Sequence, residues 1–395
     1  MLLTAPLAAI LLLVVSVAAD PIVVRKSPVS LPIARHLNIT GAHDLIRKDQ
    51  ARARNMFAAS KVKRSGSSAS VSITNEGVVY GASVGIGSPP TFYNLLIDTG
   101  CTNIWIGGGK SYVHTSSSVA LSGTVCESCG SGFCGEGFSD IVTLGPTLVF
   151  RASIGVASAS SEGFDGILGL GPPDLTTGTL SIIPDILFSQ GIIPDDLVSV
   201  SFEPTTNVSA PNGELTFGGT DSTKFTGTIT FIPVTTTFPA SEFWGINGSI
   251  RYGASTTILS TTAGIVDSGT TLLLISTDAF NRYKTATGAV LDASTGLLKV
   301  TSTQFSNLQS LFFTAGGISF ELTANAQIWP RSLNTFIGGT TSSIYLVVND
   351  IGSPTGSGLD FINGYTFLER FYSVFDTTNN RVGFANTPFT TATTN

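Results

Sequence analysis

The chain has 395 residues, a formal net charge of -6 and a hydrophobic share of 42%. Its only histidines are His36, His43 and His114, too few for a His-built metal centre, and a Ser-His-Asp triad would rest on His114 alone, in a Ser-rich loop. Carboxylates are left to serve as acid and base.

Met1 to Ala19 are apolar apart from Thr4 and Ser16 and end in small residues, Ser16-Val17-Ala18-Ala19, the pattern of a secretory signal peptide. A membrane anchor is the rival reading, and no basic stop-transfer cluster follows directly to support it. No other stretch is long and apolar enough to cross a bilayer, so no membrane association is expected after signal removal. The next segment, Asp20 to Arg64, holds ten of the twenty Lys and Arg against three acids, leaving 23 acids and 10 bases beyond it. A basic block often marks a nucleic-acid or membrane patch. Here it follows a signal and ends at Lys63-Arg64, a dibasic processing site before Ser65-Gly66-Ser67-Ser68. It therefore reads as a propeptide lying along an acidic cleft as an intramolecular inhibitor, with no nucleic-acid partner. A folding aid with incidental charge is a compatible alternative.

Beyond Arg64 the punctuation is that of an all-β protein, with short Val, Ile, Thr and Phe runs broken by Gly, Pro, Asn and Asp. Val78 to Gly87 reads as a strand, and Ser88-Pro89-Pro90 as the turn after it. Few helices are expected. One is capped by Ser276-Thr277-Asp278, runs to Ala286 and stops at Gly288, and a short one covers Pro184 to Phe188 and closes at Gly191. About 330 residues are more than one core serves well, so two lobes are expected, 65–240 and 241–395, joined near Thr237 to Glu242.

Two stretches organise this chain: Leu95-Leu96-Ile97-Asp98-Thr99-Gly100 and Val266-Asp267-Ser268-Gly269-Thr270-Thr271. Each is an apolar run ending on a carboxylate, a small hydroxyl residue and Gly. A lone buried Asp is costly to ionise. Two of them brought together from matched lobes share one proton, because like charges that close cannot both ionise, and so supply an acid and a base over one water. A glycosidase also uses two carboxylates, but has no need for two matched Asp-Thr/Ser-Gly copies.

Asp98-Thr99-Gly100 and Asp267-Ser268-Gly269-Thr270-Thr271 resemble the two active-site motifs of the pepsin family of aspartic proteases. The likeness runs from about Val79 to Ala385. It includes Asn103-Ile104-Trp105, the run Phe164-Asp165-Gly166-Ile167-Leu168-Gly169-Leu170-Gly171, and Arg370 to Asp376 with Arg381-Val382-Gly383. Phe367-Leu368-Glu369-Arg370 and the Thr-rich tail resemble the secreted fungal, polyporopepsin-like members. The resemblance implies a bilobal pepsin-like double β-barrel with a few short helices and the active site in a cleft between the lobes. It also implies a secreted acid-acting endopeptidase made as a zymogen, monomeric, with protein and peptide substrates and no metal or other cofactor.

Carried over residue by residue, Asp98 and Asp267 are the catalytic pair. Thr99, Gly100, Cys101, Ser268, Gly269 and Thr270 support them, with the Thr270 hydroxyl reaching the outer oxygen of Asp267. The flap hairpin contributes Cys129, Gly130, Ser131 and Gly132. Leu96, Phe164 and Ile167 line the pocket for a large apolar side chain before the scissile bond. Two departures stand out. Cys101 replaces a Ser beside the first Asp, and Cys129 a Tyr at the flap tip. A pepsin-fold protein that only binds peptides or proteins is therefore the alternative function. All four cysteines fall within 101–134. Cys126 with Cys134, across the flap strands, is the favoured disulfide, leaving Cys101 and Cys129 either as free thiols or bonded as a flap tether. Asn38, Asn207 and Asn247 begin glycosylation sequons, of which Asn38 would leave with the propeptide.

Overall fold

The computed structural model describes residues 27–37, 42–65, 78–127, 133–157, 164–173, 176–177 and 182–395. The Met1 to Ala19 segment, Asn38, and Cys129, Gly130, Ser131 and Gly132 lie outside them, as do the side chains of Lys63, Arg64, Cys126 and Cys134.

Among the described residues strands dominate, in one sheet of 14 strands, one of seven and one of three. Thr91–Asp98 pairs antiparallel with Val78–Ile86, Leu96 opposite Gly81, and the turn between them passes through Gly87 at φ 93, a left-handed conformation that favours Gly. The last four residues of Thr91–Asp98 are all buried, which is why Leu95-Leu96-Ile97 is a continuous apolar run rather than an alternating one.

The repeat visible in the two motifs extends into strand pairing. Thr91–Asp98 runs parallel to Gly166–Gly169, which is antiparallel to Ile104–Ile106, itself parallel to Leu148–Ala157. In the second half, Thr256–Val266 runs parallel to Phe361–Asn363, which is antiparallel to Leu273–Ile275, itself parallel to Val348–Asp350. Each acid thus emerges from the same four-strand weave. Parallel neighbours bury both faces of the strand, so the carboxylate is delivered into a dry interior. Asp98 and Asp267 are both fully buried.

The basic leader is part of this architecture. Strand Val29–Leu37 lies within the 14-stranded sheet, antiparallel to Ser209–Phe217 on one side and Val78–Ile86 on the other. Helix Ala42–Ser65 follows, an element that composition did not reveal. Lys63 and Arg64 consequently fall in its last turn, not on an extended linker. Leu45, Asp49, Arg52, Ala53 and Met56 are its most buried residues, and their spacing places them along one helical face. From the other end of the chain, Phe371–Asp376 and Arg381–Asn386 also join the larger sheet, beside Leu197–Ser201 and Thr226–Pro233.

The expected helix after Ser276 spans Thr277–Thr287 and ends at Gly288, φ 67. Ser276 makes no capping bond there; its hydroxyl pairs with Thr355 at 2.6 Å. The short helix is Ile183–Ser189, with Pro184 in its first turn, where a missing N–H costs nothing.

Candidate active site

Asp98 and Asp267 meet between the two weaves. Four hydrogen bonds lock their loops together. Thr99 N–H donates to Ser268 Oγ (3.0 Å) and Ser268 N–H to Thr99 Oγ1 (2.9 Å), while Thr99 Oγ1 donates to the Val266 carbonyl (3.2 Å) and Ser268 Oγ to that of Ile97 (3.0 Å). Thr99 and Ser268, expected as supports, therefore act on the loops and leave the carboxylates free for other donors. Gly100 N–H reaches Asp98 Oδ1 at 2.8 Å, and Gly269 N–H reaches Asp267 Oδ1 at 3.0 Å. Cys101 N–H adds a bond to Asp98 Oδ1 (3.1 Å), and Thr270 Oγ1 donates to Asp267 Oδ2 at 2.6 Å.

A cation from the leader helix fills the space between the acids. Arg52 Nη2 donates to Asp98 Oδ1 at 2.6 Å and to Asp267 Oδ1 at 3.0 Å, and its Nε donates to Asp267 Oδ2 at 2.7 Å. The helix lies close enough that a Cβ built on Gly100 or Gly269 would stand within 2.6 Å of the Arg52 guanidinium. A side chain at either position would therefore have to displace the Arg52 guanidinium from the pair. Burial and then the two carboxylates act on Arg52 in opposite senses, and the carboxylates win, raising its pKa. Burial pushes the Asp98 carboxyl up to about 6 against the pull of Arg52. Asp267 feels the same burial, but Arg52, Thr270 and Gly269 together hold it below the ordinary value. One turn earlier, Asp49 accepts the backbone N–H groups of Thr271 (3.2 Å) and Leu272 (2.8 Å). Burial dominates there and lifts its carboxyl to about 7.

Leu96, Phe164 and Ile167 do gather, with Cys101, Trp105 and Val125, in a small apolar cluster separate from the main core. Cys101 is disulfide-bonded and fully buried, which corrects its free-thiol reading; the three other cysteines of the chain all lie within 126–134. Cys126 and Cys134 stand opposite each other in the register of Val119–Glu127 and Phe133–Leu144. Asn207 and Asn247 are exposed. His114 is exposed in its loop, against the rings of Tyr112 and Phe138.

Three contributors were not singled out from sequence. Arg52 and Asp49 were hidden among ten basic and three acidic leader residues; their three-residue spacing, flanked by Leu45 and Met56, is the signal that identifies the face. Trp244, buried, donates its Nε1–H to the Leu170 carbonyl at 2.8 Å and accepts Val266 N–H at its own carbonyl, while Leu170 N–H donates to the Asp98 carbonyl. It thus ties the two acid strands from behind.

The profile of the eukaryotic aspartyl protease family matches residues 79–387. Polyporopepsin of Irpex lacteus is 62% identical over 337 residues, 82% of this chain and 99% of that protein. Rhizopuspepsin-1 of Rhizopus niveus is 32% identical, covering 79% of each chain. The crystal structure of aspartic proteinase from Irpex lacteus superposes with a TM-score of 0.80 at 55% identity, covering 93% of this chain and all of that one. The weave that delivers two matched acids to one point, and these relatives, place the chain in the eukaryotic aspartyl protease family, as an aspartic endopeptidase of pepsin-like fold.

Proposed function

We propose that the chain is the latent precursor of a secreted, acid-acting endopeptidase, with Asp98 and Asp267 as its catalytic pair and residues 20–64 as its inhibitor. The observation that carries this reading is the Arg52 guanidinium bonded to both carboxylates. A cation there occupies the place where a water must be activated, and it removes the shared proton on which acid-base work depends. On acidification the carboxylates are neutralised, Arg52 loses its partners, and the helix releases. Processing at Lys63-Arg64 would then make release permanent.

In the mature enzyme the ionised member of the pair draws a proton from water as its oxygen attacks the peptide carbon, and the protonated member donates to the carbonyl oxygen. The apolar cluster of Leu96, Phe164 and Ile167 beside Asp98 supports a preference for large hydrophobic residues at the cut, with the substrate held as an extended strand. The Cys129 to Gly132 tip would lie over it as the flap. The apolar leader, the exposed Asn207 and Asn247 sequons and the Cys101 disulfide suit an exported, glycosylated monomer. Among the described residues no helix is long and apolar enough to cross a membrane.

The test is cleavage of denatured haemoglobin or casein by acid-treated protein between about pH 2 and about pH 8, with and without pepstatin, beside Asp98→Asn. A pepstatin-sensitive acid optimum, lost in Asp98→Asn, is expected. A folded, processed protein that cleaves nothing would favour the peptide-binding alternative.

A further inference from the structure

Helix Thr277–Thr287 grips a loop of the second half from its outer side. The loop, Ile351 to Asp360, joins strands Val348–Asp350 and Phe361–Asn363. Gly352, Gly356 and Gly358 in it all take left-handed conformations, φ 86, 95 and 85. A loop turning on three such glycines has little shape of its own. The start of the helix imposes one. Thr355 N–H donates to Asp278 Oδ1 at 2.9 Å, and the Thr355 hydroxyl reaches Oδ1 at 2.8 Å and Oδ2 at 2.9 Å. With that proton spent, Ser276 Oγ is the donor in its 2.6 Å contact with Thr355 Oγ1. Thr277 N–H donates to the Ser353 carbonyl (2.9 Å) and Ser276 N–H to that of Asp360 (2.8 Å).

The inner side of the same loop faces the leader helix. Ala53 and Phe57 share a cavity of about 120 Å³ with Ile351, Gly352, Ser353 and Leu359, and Gln50 Nε2 donates to the Asp350 carbonyl. Arg52, in the same stretch of helix, covers the two acids. What that stretch covers is what a substrate meets once the leader has gone. The loop runs into Phe361–Asn363, the strand paired with that of Asp267, whereas Leu96 and Ile167 lie on the Asp98 strand and its parallel neighbour.

We propose that Asp278 is a positioning residue for substrate: by clamping Thr355 it holds Ile351 and Leu359 as the wall that receives the side chain after the scissile bond, across from the Leu96, Phe164 and Ile167 pocket. The inference rests on the reading of this cleft as the site of peptide cleavage. Asp278 stands outside the cleft, its side chain 43% exposed, so it acts through the loop. Burial works to raise its carboxyl, and the Thr355 and Arg282 bonds outweigh it, holding the group well below the ordinary carboxylate range. The clamp therefore keeps its charge in the acid that loosens the Arg52 contact. Without the clamp, substrate binds only the fraction of molecules whose loop is in place, which raises KM and leaves the chemical step alone.

The test assays the acid-activated enzyme on two peptide series, one varied at the residue after the scissile bond and one at the residue before it, with kcat and KM read separately. Asp278→Ala should raise KM about tenfold for peptides with Leu or Phe after the bond, while kcat and the preference before the bond stay as in the wild type. Asp278→Asn keeps an oxygen for both Thr355 donors and should hold KM within about twofold. Arg282→Ala, which removes only the exposed ion pair on Asp278 Oδ2, should do the same. Equal KM shifts in the Ala and Asn variants, a shift confined to the residue before the bond, or a loss of kcat alone would overturn the proposal. If Asp278→Ala does not fold, Thr355→Ala decides: a smaller KM rise of the same kind is expected, and wild-type kinetics would count against the clamp. A folded wild type that cleaves neither series would sink the cleavage reading and the proposal with it, whereas cleavage with KM unmoved in the variants sinks the role of Asp278 alone.

Discussion

Arg35 and Arg52 come from the same leader and are both buried, yet they are held in different ways. Arg52 sits on a helix and has two carboxylates for partners. Arg35 sits on a strand and donates to the Thr205 carbonyl (2.6 Å) and the Tyr365 hydroxyl (2.9 Å), with Glu369 near enough to act on its charge. Its Nε and the Glu369 Oε1 are both without hydrogen-bond partners among the described residues. Arg52 is thus bound by groups whose charge changes with acid, and Arg35 mainly by neutral oxygens. On the proposed reading, the first contact is a latch and the second an anchor.

The largest expected effect breaks the latch. Arg52→Ala leaves Asp98 and Asp267 buried without their cation, which costs about 3–5 kcal/mol of helix docking. The full-length precursor should then cleave a fluorogenic peptide at a pH nearer neutral. An unchanged activation pH would show that the helix is held by its apolar face alone.

Arg35→Ala should separate from it cleanly. Losing two bonds from a charged donor costs about 1.5–3 kcal/mol each as an upper bound. The precursor should melt several degrees lower by calorimetry while its activation pH stays put. Burial raises the Glu369 carboxyl to about 7 despite Arg35. A raised carboxyl pKa stabilises the folded chain fully below the ordinary value of 4.5 and loses that contribution as pH rises to about 7. Glu369→Gln should flatten this decline.

Asp49 sharpens the comparison, because its sign opposes the latch. Its raised carboxyl favours docking below the ordinary value of 3.8 and loses that contribution as pH climbs to about 7. Asp267 is depressed, so its contribution is present above the ordinary value and lost as pH falls through the lowered one. Acid release therefore works through Asp267, against Asp49 and against Asp98, whose raised carboxyl carries the same sign as that of Asp49. Asp49→Asn should make precursor conversion rise more steeply with acid, by up to one proton in the slope, about 1.4 kcal/mol per pH unit. The smallest effect is expected at Gln50, whose Nε2 donates to the Asp350 carbonyl at 2.8 Å. Gln50→Ala should cost about 1 kcal/mol of docking with no pH dependence, read by the same conversion assay.

The catalytic half of this picture was open to sequence reasoning, since an apolar strand ending on Asp and Gly is a local pattern and occurs twice. The helix at Thr277–Thr287 was equally local, ended by a Gly that adopts the left-handed conformation. The leader was harder. Its net charge hid which cation matters, because selection of Arg52 over its neighbours depends on helical phase and on docking against Gly100 and Gly269, both long-range facts. The oxidised state of Cys101 likewise depends on a partner distant in the chain, since the three other cysteines all lie within 126–134. Ser276 misled as a cap for a related reason: Thr355, distant in sequence, competes for its hydroxyl.

The leader strand Val29–Leu37 has a further consequence. It pairs with strands on both sides inside the largest sheet, whereas the Arg52 helix touches the cleft through one face. Mutation can loosen the helix without disturbing the sheet, or weaken the sheet without freeing the cleft. On the proposed reading, latency and assembly are separately heritable traits: selection could retune the acidity at which the enzyme wakes while leaving the scaffold that folds it unaltered.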